Sequence, residues 1–245
     1  MFIFGSGNVY GVRTDISNPT PVQFGTLQEV SVDFEFSQKD LTGQYQFPVA
    51  SARTGGKITG KAKAATITME TFNNFYFGQT IVTGSSNRVS AGEAAMVAAS
   101  SPYTATAANS ATFTQDLGVT YASSGARLTR VASAPTVGQY TVAAGVYTFS
   151  AADEGAAILL NYEYTSATTG NKIIGANQLM GTQPVFKVVL NEVYLGKALT
   201  LELNQCISTK LSLDFKNEDW TIPEFDFGAF ADSSNNVYTI SLDDL

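Results

Sequence analysis

From Thr26 to Phe36 the chain alternates, with Val30, Val32, Phe34 and Phe36 on one face and Glu29, Ser31, Asp33 and Glu35 on the other. A second stretch, Lys57–Ile67, begins in the same way. Ile58, Gly60, Ala62 and Ala64 lie opposite Lys57, Thr59, Lys61 and Lys63. Successive side chains of a strand point to opposite faces, so each stretch carries one apolar and one charged row. An acidic row set against a basic row fixes both the partner and the register of an antiparallel pair. The chain is therefore committed to a sheet with one face on a core and one in water. The connection between the two strands, Ser37–Gly56, is much longer than the 2–5 residues of ordinary hairpin loops. It contains Gly43, Tyr45, Phe47 and Pro48 without helical or alternating pattern. It reads as a projecting arm, mobile or extended in the isolated chain and apolar enough to dock.

Other strands follow the same logic. Asn8–Val12 is a short candidate in an otherwise Gly-, Asn-, Thr- and Pro-rich opening, Met1–Phe24. Gly5-Ser6-Gly7 with Gly11 is no phosphate loop, since no strand precedes it and no helix follows. Thr68–Phe77 reads as a helix capped by Thr68 and stopped by Gly78, with Met69, Phe72, Phe75 and Tyr76 on its core face. Val185–Val193 and Ala198–Gln205 flank a turn at Tyr194-Leu195-Gly196-Lys197. Thr209–Lys216 is expected to place Leu211, Leu213 and Phe215 inward. Glu218–Phe227 is interrupted by Pro223, as an edge segment would be, and Val237–Leu242 closes the series.

Between Thr83 and about Gly181 the composition turns to Ala, Ser, Thr and Gly. Short strand candidates recur at Tyr103–Ala107, Val119–Ala122, Arg127–Ala132, Tyr140–Ala143, Val146–Ser150 and Ala157–Thr165. The organisation expected is a discontinuous β domain, residues 1–82 and 182–245, with a small all-β module, 83–181, inserted. Asp153-Glu154 is better read as a turn than as a calcium site, since two adjacent acids lack further ligands.

Composition narrows the chemistry. The chain has no His, which removes the commonest general base and a leading metal ligand. Its one Cys forms no internal disulfide. There is no apolar run of about 18 residues to cross a membrane, and Met1–Gly11 lacks the features of a secretory signal. No enzyme, metal or cofactor is expected. The net charge is −7, and all 14 basic residues lie before residue 217. Glu218, Asp219, Glu224, Asp226, Asp232, Asp243 and Asp244 follow with no base among them. That segment is either a solvated acidic surface or one that meets a basic partner or repels polyanions. No basic stripe with interleaved aromatics suggests direct nucleic-acid binding.

Particular wording points further. Phe24-Gly25-Thr26-Leu27-Gln28 through Asp33-Phe34, the arm Lys39–Ala50, and Gly55-Gly56-Lys57-Ile58 resemble major tail tube proteins of long-tailed bacteriophages. Similar too are Gly145–Phe149, Gly155–Ile158 and Asn161–Tyr164 in the insert, and Glu224–Asp232 near the C-terminus. The resemblance implies a β-sandwich with one flanking α-helix, whose strands join those of neighbours in a ring-forming β-barrel. Rings are typically hexameric homo-oligomers. They stack into a tube through the long loop and terminal segments, meet other phage tail proteins, and let DNA pass without specific binding. The place implied is the virion tail, assembled in the host cytoplasm, with the insert outside. The stacking loop would comprise Lys39, Asp40, Leu41, Gln44, Tyr45, Phe47 and Pro48. The candidate acidic residues facing the lumen are Glu29, Asp33, Glu35, Glu202 and Asp214, although Lys57, Lys61, Lys63 and Lys210 share equivalent faces. The alternatives are a capsid decoration or other virion surface protein and, with only Trp220 as a sugar-stacking candidate, a carbohydrate-binding β-domain.

Overall fold

The computed structural model describes residues 2–66 and 68–243, so Met1, the expected strand end at Ile67, and Asp244 lie outside the described residues. The chain is mainly β and divides into two compact units. One is Met1–Ile81 with Ile173–Leu245, the other Val82–Lys172. Residues 173–181, expected in the insert, belong to the first.

In chain order the strands are β1 (Asn8–Arg13), β2 (Val22–Gln23), β3 (Leu27–Thr42), β4 (Pro48–Ala64) and β5 (Ile81–Thr83). Next come β6 (Ser86–Met96), β7 (Thr104–Thr106), β8 (Phe113–Tyr121), β9 (Thr129–Arg130), β10 (Gln139–Ala143), β11 (Val146–Phe149) and β12 (Ala157–Ser166). The last are β13 (Asn171–Ile173), β14 (Phe186–Tyr194), β15 (Lys197–Ser212), β16 (Glu224–Phe230) and β17 (Tyr238–Leu242). The main sheet runs β2-β1-β14-β15-β16-β4-β3, with β17 also on β15. Every pairing in it is antiparallel. This arrangement permits one wet face.

β15 is shared. Leu199–Leu203 pairs with β17, whereas Gln205–Ser212 pairs with β16. The Phe34 ring of β3 lies edge-on to Tyr238 of β17, with centroids 5.1 Å apart. Among the described residues no ladder closes it into a barrel.

The expected turn is a two-residue connection at Leu195 (φ 51°) and Gly196 (φ 77°), the positive pair that a tight hairpin requires. Thr209–Lys216 is not a separate strand. β15 runs unbroken to Ser212, and Leu213 and Phe215 are exposed. The partner strand explains this: β16 begins at Glu224, after Pro223, which has no N–H to extend the ladder. The helix also differs. Thr68 caps it, accepting from Thr71 N at 3.1 Å, but only Met69–Phe72 is α-helical. Asn73–Phe77 is a wider π turn, closed by Gly78 N–H on Asn73 O at 2.8 Å. The Asn73 side chain binds both backbone groups of Gln79 and holds the widened exit. The turn delivers Phe75 onto Phe24 (4.7 Å) and Phe186 (5.0 Å). Gly11 makes room for it: a Cβ there would lie 1.9 Å from the Phe75 ring.

The second unit has two sheets, β6-β12-β8 and β7-β11-β10-β9, around its own core of Ile158, Leu160, Tyr162, Tyr147 and Phe149. Most of its strands fall on the expected candidates. β6 does not: Gly92 (φ 70°) breaks its alternation and donates to the Asn161 side chain at 2.8 Å, beside the register shift in β12.

Candidate assembly surfaces

The long connection is built differently from expectation. β3 and β4 continue past the sheet and pair with each other, leaving Gly43–Phe47 as the loop. The arm is thus extended, but as a regular ladder. Its residues show no burial alternation because neither face is covered. β4 meets β16 only through Ile58–Lys63, so Ser37–Thr42 and Pro48–Thr54 form a free two-stranded ribbon. At about 3.4 Å per residue it reaches some 20 Å beyond the sheet.

Lys39, Asp40 and Leu41 lie on this ladder opposite Ala52, Ser51 and Ala50. Pro48 starts the return strand, and Gln44, Tyr45 and Phe47 form the tip. Asp40 accepts from Ser51 Oγ (2.6 Å) and Gln38 Nε2 (2.8 Å); these bonds, Ser51 first, hold its carboxyl below the usual range. The Arg53 guanidinium sits 4.7 Å from the Phe36 ring centroid where the ribbon leaves the sheet. The apolar side chains have no such cover: Leu41 is 63%, Tyr45 73%, Phe47 80% and Val49 65% exposed. Two-stranded hairpins alone are marginal in water, and exposed apolar patches mark interaction surfaces. Beside the ribbon's base, Phe36, Ile58, Ala229, Phe230 and Tyr238 line a shallow apolar cleft.

The charged rows pair antiparallel, as expected. Glu29 stands opposite Lys63, Ser31 opposite Lys61, Asp33 opposite Thr59 and Glu35 opposite Lys57, with Lys63 Nζ 2.6 Å from Glu29 Oε2. What sequence reasoning missed is the next strand. Glu224 on β16 lies 2.9 Å from Lys61, 3.7 Å from Lys210 and 3.9 Å from Lys63. The hydrogen bond from Lys61 is the main cause that lowers the Glu224 pKa, and the same bond raises that of Lys61. Asp226 shares this face, in register with Lys61 and Lys210. The face thus combines Glu29, Asp33, Glu35, Glu224 and Asp226 with Lys57, Lys61, Lys63 and Lys210 and is close to neutral.

The late acidic segment is therefore no uniform solvated run. Glu224 meets bases of its own chain. Asp232 accepts from Asn204 Nδ2, Ser234 N and Asn236 N, and Asp243 accepts from Ala198 N. The structure brings Glu29, Asp33 and Glu35 together on β3. Glu202 is elsewhere, beside β17 and paired with Lys187 at 2.8 Å. Asp214 lies past the end of β15, outside the sheet, because the strand pairing stops at Ser212.

The buried and half-buried carboxylates of the second unit hold structure. Asp116 accepts from Tyr140 (2.7 Å), Tyr147 (3.2 Å) and Gly118 N (3.0 Å). Glu93 accepts from Tyr162 (2.5 Å) and Asp153 from Tyr121 (2.5 Å). Burial first, then the Asp153 bond, pushes the Tyr121 hydroxyl up to about 12. Asp153 sits in a short 3-10 turn capped by Ser150, the turn expected at Asp153-Glu154. Among the described residues no group of three His, Cys, Asp or Glu is placed to hold a metal ion, and no helix is long and apolar enough to cross a membrane. No protein-family model matches the chain, and no curated protein matches it.

Proposed function

We propose that this chain is the structural subunit of a phage tail tube, without catalytic role or cofactor. The observation that carries the reading is the free β3–β4 ribbon, whose apolar tip is exposed in the isolated chain. A subunit has no use for this ladder by itself, and a neighbour in the next ring covers it. The open outer edge of β3 supports the same reading, since an unpaired edge invites another chain. So does the sequence resemblance to major tail tube proteins. In this reading β15, β16, β4 and β3 join those of neighbouring copies around a channel, typically in a hexamer. Their core face packs as one layer of a β-sandwich. The charged face turns to the lumen, where DNA passes without specific binding and Glu29, Asp33 and Glu35 are the lining acids. The tube belongs to the virion tail, is assembled in the host cytoplasm and contacts other tail proteins.

Negative-stain microscopy of the purified protein tests this reading. Rings or tubes of uniform diameter with a central channel are expected. Particles that remain monomeric at every concentration and in the presence of a tail nucleus would overturn it, and would favour a virion surface protein.

A further inference from the structure

The three ammonium groups around Glu224 have a consequence for polyanions. Glu224 begins β16, which lies between β4 and β15, so lysines reach its carboxylate from both sides. Lys61 and Lys210 approach the same oxygen, at 2.9 and 3.7 Å, and Lys63 approaches the other at 3.9 Å while also holding Glu29. The side chains of Lys61 and Lys210 are 41% and 56% exposed, whereas Glu224 is 20% exposed. The lysines are thus open to a ligand from solvent, and the carboxylate beneath them is the more enclosed group.

We propose that Lys61, Lys63 and Lys210 form a latent phosphate-binding surface that Glu224 keeps switched off. A lysine gains affinity for DNA by neutralising a phosphate and releasing its counterion. A lysine already neutralised by Glu224 releases none and must first break an ion pair. One carboxylate serving three ammonium groups is the weak point of the arrangement. Once it is removed, only Glu29 remains on Lys63, and Lys61 and Lys210 face solvent with Asp226 as their nearest acid in register. This deepens the tube reading, on which its biological meaning rests: a channel wall can carry lysines for strand pairing provided that they do not hold the DNA sliding past.

The test uses the full chain at concentrations where sedimentation shows no assembly, so it does not depend on tubes forming. Binding of a short fluorescent DNA duplex is followed by anisotropy across a salt series for the wild type, Glu224→Gln and Glu154→Gln. The last removes the same charge from an exposed position in the second unit. Expected are negligible binding by the wild type and Glu154→Gln, and at least about tenfold tighter binding by Glu224→Gln at low salt. Its log–log salt slope should lie near −2 to −3, as three phosphate contacts give. Adding Lys61→Gln and Lys210→Gln should abolish the gain. Should Glu224→Gln not fold, Glu224→Asp, which withdraws the carboxylate by one methylene, should bind between the two extremes. Binding by the Glu224 variants that is no tighter than that of Glu154→Gln, or that survives loss of the two lysines, overturns the proposal.

Discussion

Replacing Tyr45 and Phe47 together by Ser isolates what the ribbon tip contributes to assembly. The two rings are 73% and 80% exposed, so roughly three quarters of each ring's burial is still to be gained. Full burial of a large apolar side chain is worth about 1.5–3 kcal/mol. The pair therefore contributes about 2–4 kcal/mol per subunit once covered. At about 1.4 kcal/mol per tenfold, the critical concentration for assembly should rise about 30- to 1,000-fold. Association usually loses part of such a gain to ordering, but β3 and β4 are already paired, so this cost is small. The free subunit should hardly notice, its unfolding free energy changing by less than about 0.5 kcal/mol. A sedimentation dilution series with parallel urea melts measures both. If the variant assembles within a factor of about three of the wild type, the tip is not the stacking element. If its subunit unfolds, the tip belongs to the fold and the reasoning from exposure fails.

In the core, Gly11→Ala should cost about 1–3 kcal/mol, because the new Cβ meets the immobile Phe75 ring. In a Phe75→Ala background the same change should be nearly neutral, and a double-mutant cycle in urea shows whether the coupling exists. Asp116→Ala leaves the buried Tyr140 and Tyr147 hydroxyls and the Gly118 N–H without their acceptor, so the second unit should lose about 2–5 kcal/mol while the first keeps its transition. Excising 86–169 for a short Gly/Ser link should leave the first unit folded, since Ser85 N already bonds Gly170 O at 3.2 Å and the loop to be closed is short. The pH dependence has two limbs. Glu224, lowered by Lys61, stabilises above the ordinary glutamate value of 4.5 and stops doing so as pH falls through its depressed pKa. Lys61, raised by Glu224, stabilises below the ordinary 10.5 and stops as pH rises through its elevated pKa. Lys63, Lys210, Glu29 and Asp226 face the same pair. Urea midpoints should vary less with pH in Glu224→Gln than in the wild type at both ends, and only slightly for so exposed a cluster.

Local rules made much of this legible. The Glu29–Lys63 pairing, the Leu195-Gly196 turn, the Thr68 cap and the Gly78 stop each depend on neighbours in sequence or on simple alternation. The rest depends on what a strand finds beside it. Leu213 and Phe215 alternate as a strand should, yet Pro223 ends the partner ladder before it reaches them. The same alternation sets Asp214 opposite Leu213 and Phe215, and it lies outside the sheet for the same reason. The ribbon was invisible as a ladder because its two faces are equally wet, so Ser37–Thr42 and Pro48–Thr54 carry no period-two signal. Glu224 was grouped with a distant acidic run, since nothing in the order of residues tells that β16 inserts between two lysine-bearing strands. Glu29, Asp33 and Glu35 share one strand and therefore one face, whereas Glu202 lies on another ladder, which its place in the sequence does not tell.

The outer edge of β3 constrains which partners can close the sheet. An antiparallel pairing of β3 with β3 of a second copy, the two-fold solution centred on Val32, would set Glu29 against Glu35 at both ends of the contact and Asp33 diagonal to the partner's acids. Like charges directly opposite are destabilising, so this register of the isologous dimer is disfavoured. The apolar side of the same edge carries Phe34 and Phe36, both partly exposed, and a long apolar edge invites pairing with another chain. A different edge of the neighbour escapes the conflict. β17 offers Tyr238, Thr239, Ile240, Ser241 and Leu242, without charge and, among the described residues, paired only with β15. Pairing one edge with a different edge is head-to-tail by construction. It either closes as a ring or propagates as a filament. The acid row therefore does more than fix the register with the lysines of β4: it disfavours the two-fold register that sets Glu29 against Glu35, whereas a head-to-tail pairing, in a ring or a filament, meets no such conflict.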